Sequence, residues 1–296
     1  MTFVTSREFM SLLEGHPGID HVIGFDRRKE AWSAFIKRLK SHDEVHPFDL
    51  FLDLHATMRS FRLKLSFWGV ARLTVDKRRW ERFFLTKIKS VTVRRIFHGK
   101  FFGMEPQVER IIRDLQDIFG DTRGTSEAKL YRRGKNEELT SLSELPVYPV
   151  SGKYIVLAPS ASFAPKRWPI EYFVELAKKL LESTEYHLVV LAGPEDKFCE
   201  AFDKISSPRL LNLQGKTTLR ESMSILSRAE LSIGNDSGMN HIAEASEVPV
   251  VTIFGPTDPL FGFAPHGKKS SHLSKDLWCK PCSTTGKTPC YRKEHY

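Results

Sequence analysis

A chain of 296 residues with 41% hydrophobic content can bury one or two ordinary cores, and the pattern of apolar runs described below favours two domains. No stretch approaches the roughly 18 consecutive apolar residues of a membrane span, and the N-terminus lacks the basic-then-apolar pattern of a secretory leader, so a soluble cytoplasmic protein is expected. The net charge of +9 equals the excess within the first 100 residues alone, which hold 20 Lys and Arg against 11 Asp and Glu; that surface suits an anionic partner.

In chain order, HVIGF (21–25) and FDLFLDLH (48–55) have strand character, while 29–40 and 57–67 carry helical periodicity, as does 104–119. The polar stretch 120–139 has no period and is expected to be a linker. Alternation then restarts with YIVLAPS, a helix from Pro169 to about Leu181, HLVVLAG, a helix near 195–204, RLLNL, a helix near 218–227, LSIG, a helix from about Ser237, and VPVVTIFG. Strands alternating with helices predict parallel sheets covered on both faces, in two doubly wound α/β domains.

Ligands of such sheets bind beyond the carboxyl ends of the strands, here Ser160 to Lys166, Gly193 to Asp196, Gly234 to Gly238 and Gly255 to Asp258. The sequence GNDSGMNH (234–241) places Asp236 or Ser237 to cap a helix whose first amides form an anion site. Gly238 lets a ligand approach the backbone, and His241 lies on the first turn. Lys166 could neutralise a diphosphate, and Glu195 and Asp196 could meet ribose hydroxyls or cap the next helix. Neither GxGxxG nor GxxxxGK[ST] occurs, which argues against a dinucleotide dehydrogenase and a P-loop enzyme.

The series PSASFAPKRWPIEYF, LAGPED, LQGKTTL and GNDSGMNHIAEASEVPVVTIFGPTDP, in order and spacing over about 150–265, resembles the nucleotide-sugar domain of glycosyltransferase family 9, the ADP-heptose:lipopolysaccharide heptosyltransferases. TFVTSREF, HPGIDHVIGFD and PFDLFLDLHATMRS resemble its N-terminal domain more weakly. The resemblance implies a GT-B fold, with two Rossmann-like doubly wound domains facing across a cleft. It divides the chain into an acceptor-side domain (1–120), a linker (121–150) and a nucleotide-sugar domain with a cysteine-containing tail (151–296). It also implies inverting transfer of heptose from an ADP-activated donor to the lipopolysaccharide inner core. The alternative is a family member that binds nucleotide sugar and has lost catalysis.

Carried over, Ser162 and Lys166 meet the diphosphate, and Ser237, Gly238, Met239 and His241 form its cradle. Asp236 holds the cradle near the sugar, Lys216 and Thr217 pass the adenine, and Glu195 or Asp196 takes the ribose. Lys166 and Asp236 are thus the catalytic candidates, with no metal required for catalysis. Relative to the family, the first β-α unit, whose loop carries the aspartate expected as base, is missing; Asp53 and His55 are the substitutes at hand. Cys279, Cys282 and Cys290 have spacing suited to structural zinc, with His272 or His295 as a fourth ligand. The expected partners are a nucleotide sugar, the core acceptor and an anionic inner-leaflet surface on which the protein docks peripherally; no nucleic-acid motif accompanies the charge.

Overall fold

The computed structural model describes residues 1–16, 18–75, 82, 86–87, 152–288 and 290. The expected helix at 104–119 and the linker at 121–150 lie outside the described residues. The chain divides into two compact units, with residues 1–75 in the first and 152–288 in the second.

In the first unit, β1 (Thr2–Ser6) pairs in parallel with β2 (His21–Phe25), and β3 (Leu50–Asp53) with β4 (Ala71–Thr74). Helix α1 (Trp32–Val45) crosses from β2 to β3 and buries Phe35 and Leu39 against Ile23 and Phe67. Helix α2 (Met58–Ser66) starts at a capping box, in which the Thr57 hydroxyl accepts from Ser60 N–H and the Ser60 hydroxyl accepts from Thr57 N–H.

The second unit carries a six-stranded parallel sheet of order β10-β9-β8-β5-β6-β7. Its strands are β5 (Tyr154–Ala158), β6 (His187–Val190), β7 (Leu210–Asn212), β8 (Leu231–Asn235), β9 (Val250–Phe254) and β10 (Ser271–Ser274). The aliphatic run of β5 is buried at every position, as a central parallel strand with both faces covered requires. Helix α3 (Ile170–Ser183) packs Phe173, Ala177 and Leu181, spaced four apart, into the core with Leu157, Leu188, Val190 and Phe202. Helices α4 (Leu219–Leu226) and α5 (Gly238–Ala245) follow β7 and β8. The helix expected near 195–204 is instead a 3-10 segment, Lys197–Lys204, which buries Cys199 and Phe202 on the same core.

The chain leaves β5 toward β6 and β7, then returns to β8 on the other flank of β5 and continues to β9 and β10. Winding therefore reverses between β5 and β8. At such a reversal the loops from adjacent strand ends diverge and open a crevice, so the loops after β5 and β8 are the ones positioned to share a ligand.

Candidate functional site

Those two loops are tied together by Asn235, the last residue of β8, which is fully buried. Its side-chain amide donates to the Pro159 carbonyl (2.5 Å), and its Oδ1 accepts from Trp168 N–H (2.9 Å). The β5–α3 loop is thereby pinned at both ends, with Lys166 between the two anchors. Below, Asn240 on α5 donates to the Asn235 carbonyl (3.1 Å) and to Thr252 Oγ1 (3.0 Å), locking the helix start to β8 and β9.

Lys166 Nζ meets Asp236 Oδ2 at 2.7 Å, and the same oxygen accepts from Thr257 Oγ1 at 2.8 Å. Asp236 is thus an organiser, fixing an ammonium whose side chain is 15% exposed at the crevice. An ammonium has three donors, so one ion pair leaves donor capacity for an anionic ligand. Helix α5 begins beside it. Ser237 sits at the N-cap position with no side-chain capping bond, and its Oγ is enclosed without a hydrogen-bond partner. The Asp236 carboxylate caps nothing either, because Lys166 and Thr257 hold it. A Cβ placed on Gly238 would meet nothing within 4 Å, so the space before these amides is open. The first amides of a helix lack internal partners and carry the positive end of its dipole. Met239 is half-buried, and His241 is open to solvent. Protein packed around the His241 ring lowers its pKa below the ordinary imidazole value, against the pull of Asp236 and Glu244 in the other direction.

The neighbouring loops extend the same rim. Asp196 accepts from Ser160 Oγ (2.6 Å) and Gly193 N–H (3.0 Å) and pairs with Arg167 (3.4 Å), so its carboxylate organises the loop, while Glu195 is exposed. Ser162 is exposed on the β5–α3 loop. Lys216 is exposed and donates to the Asn212 carbonyl (3.0 Å), and Thr217 bonds Ser222 (2.9 Å). In the first unit, Asp53 accepts from the amides of His55 (2.9 Å) and Ala56 (2.8 Å) and pairs with Lys64 (3.0 Å). Burial pushes the pKa of Asp53 up, but Lys64 and the amides outweigh it and hold the carboxyl below its usual value. Its geometry is that of a turn-former.

The cysteine tail has a different place from the one its spacing suggests. Among the described residues no group of three or more His, Cys, Asp or Glu side chains is arranged to hold a metal, so the structure lends the zinc reading no support. Cys279 is buried, and Cys282 N–H donates to the Pro256 carbonyl (2.9 Å). Lys280 is buried and donates to the Phe254 carbonyl (2.9 Å) and Ser274 Oγ (2.5 Å), anchoring the tail across the ends of β9 and β10. This brings Gly286 against the aliphatic stem of Lys166. With φ at +78° it occupies the left-handed region, and a Cβ there would overlap Lys166 Cγ and Cδ. Gly286→Ala is therefore expected to lose about 1–2 kcal/mol of stability and to weaken binding of any ligand held by Lys166. Thermal unfolding and ligand calorimetry on the variant read the two effects.

The family model for "Glycosyltransferase family 9 (heptosyltransferase)" matches residues 32–291. The chain belongs to glycosyltransferase family 9. It is 32% identical over 113 residues to lipopolysaccharide heptosyltransferase 2 of Salmonella typhimurium, covering 36% of this chain and 32% of that protein. The chain thus spans about a third of the length of the curated relatives it matches first. Among solved structures, the family 9 glycosyltransferase from Veillonella parvula superposes with a TM-score of 0.70 at 18% identity, over 92% of this chain and 76% of that one. ADP-heptose LPS heptosyltransferase II of E. coli gives a TM-score of 0.66 at 17% identity, over 93% and 81%. The fold is the GT-B-like α/β fold of family 9. Asn235, Thr257, Ser160 and Gly286 were not singled out by sequence; GND and GPT at adjacent strand ends carried the only local signal of the first two.

Proposed function

We propose that the chain is a family 9 heptosyltransferase that binds the diphosphate of an ADP-activated heptose at the β5/β8 crevice and transfers the sugar, with inversion, to a lipopolysaccharide core acceptor. One observation carries this reading: Lys166, fixed by Asp236 and Thr257, stands beside an uncapped helix start at the point where the sheet reverses its winding. An ammonium and free amides together suit the charge that develops on a departing diphosphate, and they need no metal to do so. In this arrangement Ser162 and Lys166 take the diphosphate with the amides of Ser237, Gly238 and Met239. Lys216, Thr217 and Glu195 face the nucleoside, and His241 lies at the phosphate end. The basic first unit takes the acceptor side and an anionic membrane surface. Among the described residues no helix is long and apolar enough to cross a membrane, so contact with lipid is peripheral in this reading.

The test is calorimetry with ADP together with heptose transfer from an ADP-heptose donor. Micromolar ADP binding that competes with the donor supports the proposal, whereas absence of ADP binding removes it. Binding without transfer, in a chain extended to the length of its relatives, would favour the non-catalytic alternative.

His241 adds a pH signature. Its lowered pKa keeps the ring neutral at pH 7, and a bound diphosphate favours the imidazolium, so the complex has the higher pKa. Protons are then taken up on binding, and affinity gains as pH falls from 7 toward 6. The terminal phosphate of ADP titrates near pH ~6 and pulls the other way. The informative quantity is therefore the difference from His241→Gln: the wild type is expected to gain severalfold relative to the variant over that interval, and parallel pH profiles would show that His241 does not face the phosphate.

A further inference from the structure

Helix α2 has two apolar faces, and only one is used inside the protein. Its inward side places Leu63 against the core beside buried Phe67, with Ser60 held in the capping box. On the outer side Met58, Phe61 and Leu65, with Trp68 just past the helix end, fall at spacings of three, four and three residues. At 100° per residue they lie within an arc of about 80° and form one ridge. That ridge is open: Met58 is 75% exposed, Phe61 52%, Leu65 49% and Trp68 84%. Single exposed apolar residues are ordinary, but four in register on one helix face are not.

The charges around the ridge are of one sign. Residues 58–75 contain Arg59, Arg62, Lys64 and Arg72 and no Asp or Glu. Lys64 is occupied with Asp53 on the inner side. Arg62 stands over the Trp32 ring (5.8 Å), and Arg72 stands over the Trp68 ring (5.6 Å) while donating to the Phe67 carbonyl (3.2 Å), so both guanidiniums are held beside the ridge.

We infer that the α2 ridge is a docking surface for an anionic lipid bilayer, with Phe61, Leu65 and Trp68 entering the interfacial layer and Arg59, Arg62 and Arg72 meeting lipid phosphates. An amphipathic helix lying in the interface plane has this composition: bulky aliphatic and aromatic side chains on one side, flanked by arginine and lysine, with a tryptophan at headgroup depth. Its binding sums apolar burial with attraction to anionic headgroups, and the second part weakens with salt. Charge complementarity selects this occupant. A second copy would bring four basic residues against four of the same sign, and an acidic protein would use the arginines while leaving Trp68 and Met58 without a reason to be bare. The inference stands on the first unit alone and does not depend on the donor-site assignment.

The experiment is co-sedimentation of the full chain with phosphatidylcholine vesicles and with vesicles containing roughly one-third phosphatidylglycerol, at low and high salt. Binding is expected to the anionic vesicles only, and to fall with salt. The double variant Phe61→Ser/Trp68→Ser removes exposed side chains, so it should unfold at the wild-type temperature and bind ADP as before, yet lose roughly tenfold or more in partitioning. Arg59→Glu/Arg62→Glu should lose binding to a similar degree, and Trp68→Phe should retain most of it. Brominated lipid should quench part of the tryptophan emission of wild type, and the Trp68→Phe variant should lose that component. Equal partitioning of the serine variant and wild type overturns the inference, as does equal binding to neutral vesicles. Concentration-dependent self-association that the serine variant abolishes, without vesicle binding, assigns the ridge to a second copy and overturns it too.

Discussion

Lys166→Ala is expected to lower heptose transfer about a hundredfold, roughly 3 kcal/mol of transition-state stabilisation, by analogy with the loss of one oxyanion donor. The ammonium is set 2.7 Å from Asp236, whose oxygen is also held by Thr257, so it is fixed before any ligand arrives. Negative charge on the leaving diphosphate grows as the sugar–phosphate bond breaks, and a fixed cation then gains more than it had in the ground state. Turnover should therefore fall more than ADP affinity. The ion pair adds a structural consequence: removing the lysine leaves the mostly buried Asp236 carboxylate with Thr257 alone, and an uncompensated buried charge destabilises the fold. The Asp236→Asn variant separates the two effects, because it keeps the ammonium and the Thr257 contact while loosening the lysine's position. An intermediate loss of turnover is expected there, with less thermal destabilisation than in Lys166→Ala. Lys166→Arg should recover only part of the rate, since a planar fork does not occupy the place of a point charge beside Gly286. Full turnover and full ADP affinity in the alanine variant would remove Lys166 from the mechanism.

The sheet of the second unit was legible because its strands are aliphatic runs punctuated by glycine and proline, and a parallel strand buried on both faces needs just that composition. β10 was not, since SHLS is exposed at all four positions and carries no apolar period. β1 and β4 were passed over for a related reason: TFVTS and ARLT are short and partly polar, with no residue of either fully buried. The 3-10 segment at 197–204 mimicked a helix because Phe198, Cys199 and Phe202 still point to one side.

In the site, Lys166 and the start of α5 were readable from their place at strand ends and from the family pattern. The pairing of Lys166 with Asp236 was not, because the two lie seventy positions apart and only the parallel contact of β5 and β8 brings them together. The tail misled for the opposite reason. A CxxC spacing is a local signal with a familiar chemical meaning, whereas the contact that places the tail, Gly286 against Lys166, spans the whole sheet and leaves no local trace.

Asn235→Ala is expected to destabilise the second unit by about 3 kcal/mol, since it leaves the Pro159 carbonyl and the Trp168 amide without their buried partner, at roughly 1–3 kcal/mol for each unsatisfied group. For a unit of this size that is a fall in melting temperature of about 6–12 °C, read by calorimetric unfolding. The loop between those two anchors carries Lys166, so ADP affinity and turnover should fall in the fraction that remains folded. Asn235→Asp gives the sharper comparison. A carboxylate still accepts from Trp168 N–H but faces the Pro159 carbonyl as acceptor against acceptor, in a fully buried position. The aspartate variant should therefore be at least as unstable as the alanine one near neutral pH and should recover as pH falls and the carboxyl takes up the proton it needs to donate. A side chain that merely filled space would show the reverse order, with aspartate, the near-isostere of asparagine, the milder change. If alanine melts within about 2 °C of wild type and binds ADP normally, other contacts hold the Lys166 loop and the role assigned to Asn235 is wrong.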